Sequence, residues 1–270
     1  MRSILVHADS TPAFEARLQA ALDIARAVEG HVNLHINTPF QRFIAMDPFG
    51  GAYLSAEAIG AAAEREVELT DTLAARMARE DVPWNIESSS CEPVDALVSS
   101  ARLADLVIVT LTTPEDDGPL VSAMAVGPLA VGARAPVLAI PSDRKSFALA
   151  GKAMVAWDGS HESANALRAA VPMLSLASEV HLVTIADKTS GFPATDALRY
   201  LAHYGIRPEL VERERTHPTT EETLDAIASE LAADWLAMGA YGHSRLRETM
   251  FGGVTRYFLD FARYPLLLVH

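Results

Sequence analysis

Four glycines and one aspartate carry the most specific chemistry in this 270-residue chain. Gly239 and Gly242 close a short apolar run, Trp235 to Met238, and after nine intervening residues stand Gly252 and Gly253, followed by Val254 and Thr255. Glycine has no Cβ, so backbone N–H groups at such positions can approach a ligand closely. Successive N–H groups in a glycine turn form a concavity that suits an anion, and a helix that follows adds its own unpaired N–H groups and the positive end of its dipole. Arg245, Arg247 and Arg256 are near enough in sequence to offset phosphate charge, and His243 follows the second glycine. A second apolar run, Ala153 to Trp157, ends in Asp158. A carboxylate at a strand end can bond the hydroxyls of a ribose, or it can cap the helix that follows. The glycine spacing likewise fits close helix–strand packing with no ligand at all.

What positions these residues is an internal repeat. The run from Ser3 to Asp9 resembles Ala153 to Asp158, and 30–36 resembles 178–184. Further on, 103–109 resembles 232–238, and 133–140 resembles 262–269. The first unit holds about twenty extra residues between its second and third strands, among them Phe40, Phe43, Phe49 and Tyr53. They are read as packing over their own unit, with covering a pocket, packing on the other unit or an oligomer contact as the alternatives. Leu18, Ala21, Leu22, Ala25 and Val28 recur at helical spacing after Thr11 and Pro12, which read as cap and first helical residue. Ala164, Leu167, Val171 and Leu174 do the same after Ser160, with Pro172 ending or kinking that helix. A long helix is expected over 55–79, helices over 92–101 and 221–231, and short strands at 85–89 and 209–212. Strands alternating with helices, twice over, predict an α/β fold of two tandem, doubly wound, parallel-sheet (Rossmann-like) domains, residues 1–143 and 152–270. The apolar last strands, 136–141 and 265–270, would be costly at an open edge. They are expected to pair with each other, making an internal pseudo-dimer; a homodimer of whole chains is left open.

Bulk composition removes several classes of partner. The net charge is −13 with 50% hydrophobic residues, which argues against nucleic acid and anionic membrane surfaces as partners. A single cysteine, Cys91, excludes an internal disulfide and a CxxC motif. With no secretory leader at the N-terminus and no apolar run long enough to span a bilayer, the expected location is cytoplasmic.

The second unit resembles the universal stress protein family of the ATP-binding type, on the G-x2-G-x9-G pattern of Gly239, Gly242 and Gly252, on Trp157-Asp158-Gly159-Ser160, and on the closing strand 265–269. The resemblance implies Asp158 at a ribose, main chain near Ala156 and Trp157 against the adenosine, and Gly239, Gly242, His243, Gly252, Gly253, Val254 and Thr255 around the phosphates. The implied ligand is ATP, ADP or AMP, with Mg²⁺ admitted alongside, and the implied role is stress response or regulation. Gly253 stands where the family has Ser or Thr, and Ser244 or Thr255 is available to supply a hydroxyl instead. In the first unit Thr110 and Thr113 replace the glycine pair, Glu115, Asp116 and Asp117 follow, and Ala123-Met124 replace the second pair. That unit is expected to have lost the nucleotide site, with Asp9 kept as a helix cap.

No G-x-x-x-x-G-K-[ST] or G-x-S-x-G sequence is present. No residue presents itself as a catalytic base, so slow ATP hydrolysis or phosphoryl transfer ranks below simple binding. An interaction module that is ligand-free, or binds another small molecule, is the alternative from a different class. His7, His31 and His35 lack metal-ligand spacing and are read as core or edge residues.

Overall fold

Apolar strands and amphipathic helices alternate through the chain, and each helix must bury its stripe against a sheet face. The computed structural model describes residues 1–39, 44–46, 52–112, 123–186, 191–240, 253–261 and 263–270. The first half supplies β1 (Ser3–Ala8), α1 (Phe14–Val28), β2 (His31–Asn37), a small antiparallel hairpin of β3 (Ile44–Met46) and β4 (Ala52–Leu54), α2 (Ala56–Met77), β5 (Trp84–Ser89), α3 (Pro93–Ser100), β6 (Leu106–Leu111), α4 (Ala123–Gly132) and β7 (Val137–Pro141). The second half repeats the plan with β8 (Lys152–Ala156), α5 (His161–Leu174), β9 (Glu179–Ile185), α6 (Ala194–Ala202), β10 (Glu209–Arg213), α7 (Thr220–Glu230), β11 (Trp235–Gly239), α8 (Gly253–Phe261) and β12 (Leu266–Val269).

Ten strands form one sheet in the order β10-β9-β8-β11-β12-β7-β6-β1-β2-β5. Every neighbouring pair in it is parallel except β12 with β7, which run antiparallel. Read outward from that junction, both halves have the same strand order, so the junction relates them by an approximate two-fold. The expected pairing of the last strands is therefore present. It places Leu266, Leu267 and Leu268 against Ala139, Leu138 and Val137, all fully buried. Helices cover both faces. Ile4, Val6 and Val155 sit with α1 and α5 on one side, and Leu5, Val107 and Met154 sit with α3, α4, α7 and α8 on the other.

The repeat extends to polar detail. Asp105, just before β6, accepts hydrogen bonds from the backbone N–H groups of Arg2 and Ser3 at 2.6 and 3.0 Å. Asp234, just before β11, accepts one from Lys152 at 2.7 Å. Each carboxylate thus ties the start of a half's first strand to the strand beside it. Gly151 leaves the room this needs, since a Cβ there would lie 2.2 Å from the Asp234 carboxylate.

Two local expectations are corrected. Thr11 does not cap α1: the helix starts at Phe14 without a side-chain cap, because the Thr11 hydroxyl donates to Asp9 at 2.6 Å instead. The extra segment of the first half includes a hairpin, although Phe40, Phe43 and Phe49 lie outside the described residues. Helix α6 occupies the place that strand–helix alternation assigns to a helix between β9 and β10, burying Ala194, Ala197 and Leu201, with Pro193 at its N-cap. By contrast, Ser160 caps α5 as expected, and Ser55 caps α2 at the start of the expected long helix.

The junction yields a direct expectation. Leu267→Ala empties a fully buried site facing Leu138 and should reduce unfolding free energy by about 2–5 kcal/mol, seen as a lower urea midpoint. An unchanged midpoint would mean that the junction does not hold the halves together.

Candidate functional site

In an open α/β sheet a crevice forms where consecutive strands leave in opposite directions, at their carboxyl ends. In the second half that place is between β8 and β11, since β8 leads to β9 on one side while β11 lies on the other. Ala237 pairs with Val155, so Gly239 lies level with Trp157 and next to Asp158. Ala156, Trp157, Asp158 and Gly239 are thus brought together by register alone. Gly253, Val254 and Thr255 form the first turn of α8 rather than a loop, with Thr255 buried. Gly242, His243, Ser244, Arg245, Arg247 and Gly252 lie outside the described residues.

Several contacts shape this crevice. One Asp158 oxygen accepts the Ser160 backbone N–H at 3.0 Å, a turn that opens α5. Ser160 in turn accepts from the Ser163 N–H at 3.1 Å, so the helix cap itself is Ser160. Gly239 has a packing reason to be glycine: a Cβ there would lie 2.7 Å from the Glu162 carbonyl carbon and 2.8 Å from the Ser163 nitrogen. The first turn of α5 therefore rests on the end of β11 with or without a ligand. Gly253 is open except towards Glu221, whose Oε1 would be 3.3 Å from an added Cβ. A hydroxyl-bearing side chain at 253 and the Glu221 carboxylate compete for this space. Glu221 is the second residue of α7, whose N-terminus is held by a reciprocal Thr219–Glu222 capping box.

Next to Asp158 the chain docks on itself. The Trp157 indole N–H donates to the Phe192 carbonyl at 3.2 Å, and the Phe192 N–H donates to the Gly159 carbonyl at 3.1 Å. Neither Gly191 nor Phe192 had been singled out from sequence. Beyond Trp157, the Thr184 hydroxyl on β9 is buried and has no hydrogen-bond partner among the described residues.

The corresponding place in the first half, between β1 and β6, is filled differently. Asp9 is not a cap for α1. Its Oδ1 accepts from Arg17 Nη2 at 2.7 Å as well as from Thr11. Arg17 Nη1 lies 3.0 Å from His7 Nδ1. Arginine has no acceptor, so His7 Nδ1 accepts and its proton sits on Nε2, which has no partner among the described residues. Arg17 is only 1% exposed, and its repeat counterpart is Ala166. The first half thus places an internal cation beside its aspartate where the second half has a methyl group. The available sequence signal was position: Arg17 lies on the buried face of α1, four residues before Ala21.

Burial pushes His7 down to about 4, helped by the Arg17 charge and His35 and opposed by Asp9. Burial opposes ionisation of Asp9, but the charge and hydrogen bond of Arg17 outweigh it and hold the carboxyl below its usual range. His35, bonded to Ser89 at 2.9 Å, is also lowered by burial. Among the described residues no cluster of three metal-ligating side chains occurs, and no helix is long and apolar enough to cross a membrane.

Residues 150–270 match the Universal stress protein family. The fold is shared with a universal stress protein from Archaeoglobus fulgidus DSM 4304, at 14% identity and a TM-score of 0.77, covering 98% of this chain and 97% of that one. A functionally unknown protein from Pseudomonas aeruginosa PAO1 is 16% identical with a TM-score of 0.60, covering 100% of this chain and 92% of that one. No curated protein is recognisably similar in sequence. The fold is accordingly α/β with two tandem Rossmann-like halves.

Two outcomes follow for stability. Gly239→Ala drives a methyl into the α5 backbone and should cost about 1–3 kcal/mol or more, measured by denaturant unfolding; a neutral result would show that α5 is free to move away. His7 is neutral when folded and protonates near pH 6.5 when unfolded. The unfolded state therefore takes up more protons between pH 6.5 and 4, so stability is full above that window and falls as pH falls through it. About 2 kcal/mol should disappear between pH 7.5 and pH 5, and His7→Asn should flatten that dependence. An equal slope in both proteins would contradict the assignment.

Proposed function

We propose that this chain binds one adenine nucleotide, ATP, ADP or AMP, at the carboxyl ends of β8 and β11, and serves as a stress-response or regulatory protein without fast turnover. The observation that carries this reading is the register that sets Gly239 level with Trp157, one residue before Asp158, at the strand-order reversal, in the stretch that matches the Universal stress protein family. Asp158 would take the ribose hydroxyls and the main chain at Ala156 and Trp157 the adenosine. Gly239, Gly242, His243, Gly252, Gly253, Val254 and Thr255 would surround the phosphates, and Mg²⁺ could accompany them. Residues 1–143 and 152–270 would act as two units in a cytoplasmic protein. The first unit would be a structural partner, with Asp9 already paired to Arg17. No residue is assigned to hydrolysis.

The second reading, an interaction module that is ligand-free or holds another small molecule, is favoured by one observation. Gly239 is accounted for by its contact with α5, and the Glu221 carboxylate stands beside Gly253 where phosphate would come.

Calorimetric titration separates the two. Saturable binding of at least one of ATP, ADP or AMP is expected, and Gly242→Asp should abolish it by putting a carboxylate against the phosphates while leaving the melting temperature near the wild-type value. Equal binding by the variant would remove the glycine loop from the site, and no binding at millimolar nucleotide would favour the second reading.

A further inference from the structure

The segment beside Asp158 has a design that the phosphate and ribose contacts leave unexplained. Phe192 is 53% exposed, and a lone exposed phenylalanine needs no special account. This one, however, sits on backbone that is hydrogen-bonded to both Trp157 and Gly159. Gly191 adopts φ +123°, and a Cβ there would lie 2.3 Å from the Gly159 carbonyl oxygen. That approach is open only to glycine. The next residue donates its N–H to the same carbonyl and accepts the Trp157 indole N–H through its own. Pro193 then fixes the entry to α6. The residues that hold Phe192, Trp157 and Gly159, are the two neighbours of Asp158. The Phe192 ring meets the His161 ring edge to face, with centroids 6.2 Å apart at 74°. A rigid aromatic face is therefore held half in solvent, one residue away from the carboxylate assigned to the ribose.

We propose that Phe192 is a specificity-determining residue of the C-terminal site, against which the planar base of the ligand stacks. The proposal rests on the nucleotide reading given above. Stacking suits this place because the platform is already ordered before binding, so little conformational freedom is lost when a base lands on it. An aromatic face also accepts a purine through dispersion and quadrupole contacts without needing a matched set of hydrogen bonds. Trp157 is almost fully buried, with its indole N–H already committed to the Phe192 carbonyl, so it acts as a positioning residue.

The test is equilibrium titration of the full chain with AMP, comparing wild type with Phe192→Leu, Phe192→Ala and Phe192→Tyr. Leucine keeps most of the bulk but removes the π face, so loss of packing alone is controlled. The leucine and alanine variants should bind AMP about 5- to 150-fold more weakly. Tyrosine should stay within about threefold of wild type, because it keeps the ring. All four proteins should melt at similar temperatures, since the ring is half-exposed. AMP binding by Phe192→Leu equal to wild type would overturn the stacking role while leaving the nucleotide site standing. A loss that tyrosine fails to restore would assign the effect to the loop's shape and would also overturn it. Failure of wild type itself to bind AMP, ADP or ATP would instead remove the nucleotide reading, and this proposal with it.

Discussion

The antiparallel pairing of β7 with β12 is the constraint on which the rest of the structure depends. Each half ends in a strand that is apolar on both faces, and such a strand cannot be left at an open edge without inviting association. Setting Leu266, Leu267 and Leu268 against Ala139, Leu138 and Val137 removes both edges at once. It also fuses two five-stranded sheets into one of ten. Both crevices then open where strand order reverses, one in each half, with equivalent frameworks around them.

Equivalent frameworks make the differences informative. The same strand end carries Asp9 in one half and Asp158 in the other, but the opposing helix supplies Arg17 in the first and Ala166 in the second. A buried guanidinium must be paired, and Asp9 is the partner it finds. The pairing commits one carboxylate oxygen, Oδ1, to Arg17 and Thr11. It also makes the N-terminal half dependent on a charge network that includes His7, whose protonation is opposed by burial and by the Arg17 charge. In the second half the aspartate bonds the Ser160 N–H, and the neighbouring backbone carries Phe192.

Much of this was legible in the sequence because it depends on local pattern or on repetition. The strands at 85–89 and 209–212, the long α2 and the cap at Ser160 follow from composition and spacing. The nearness of Asp158 and Gly239 was legible because both residues end apolar strands of one α/β unit, whose carboxyl ends meet at the switch point. What was not legible depends on contacts between distant segments. Thr11 looked like a cap until Asp9 claimed its hydroxyl. Gly239 looked like a phosphate glycine, and its need to clear Glu162 and Ser163 is visible only once α5 is laid across β11. Gly191 and Phe192 carried no motif, because their role comes from docking on Gly159, more than thirty residues earlier. The hairpin of β3 and β4 was similarly hidden in a stretch noted only for its aromatics.

The central claim is an asymmetry: two matching crevices, of which the second takes a nucleotide and the first is closed by its own arginine. A crystal structure of the chain grown with a non-hydrolysable ATP analogue tests it most directly. The account predicts one nucleotide per chain, its ribose at Asp158 between the ends of β8 and β11, and the Arg17–Asp9 pair intact. Nucleotide bound between β1 and β6, with Arg17 displaced from Asp9, would contradict it.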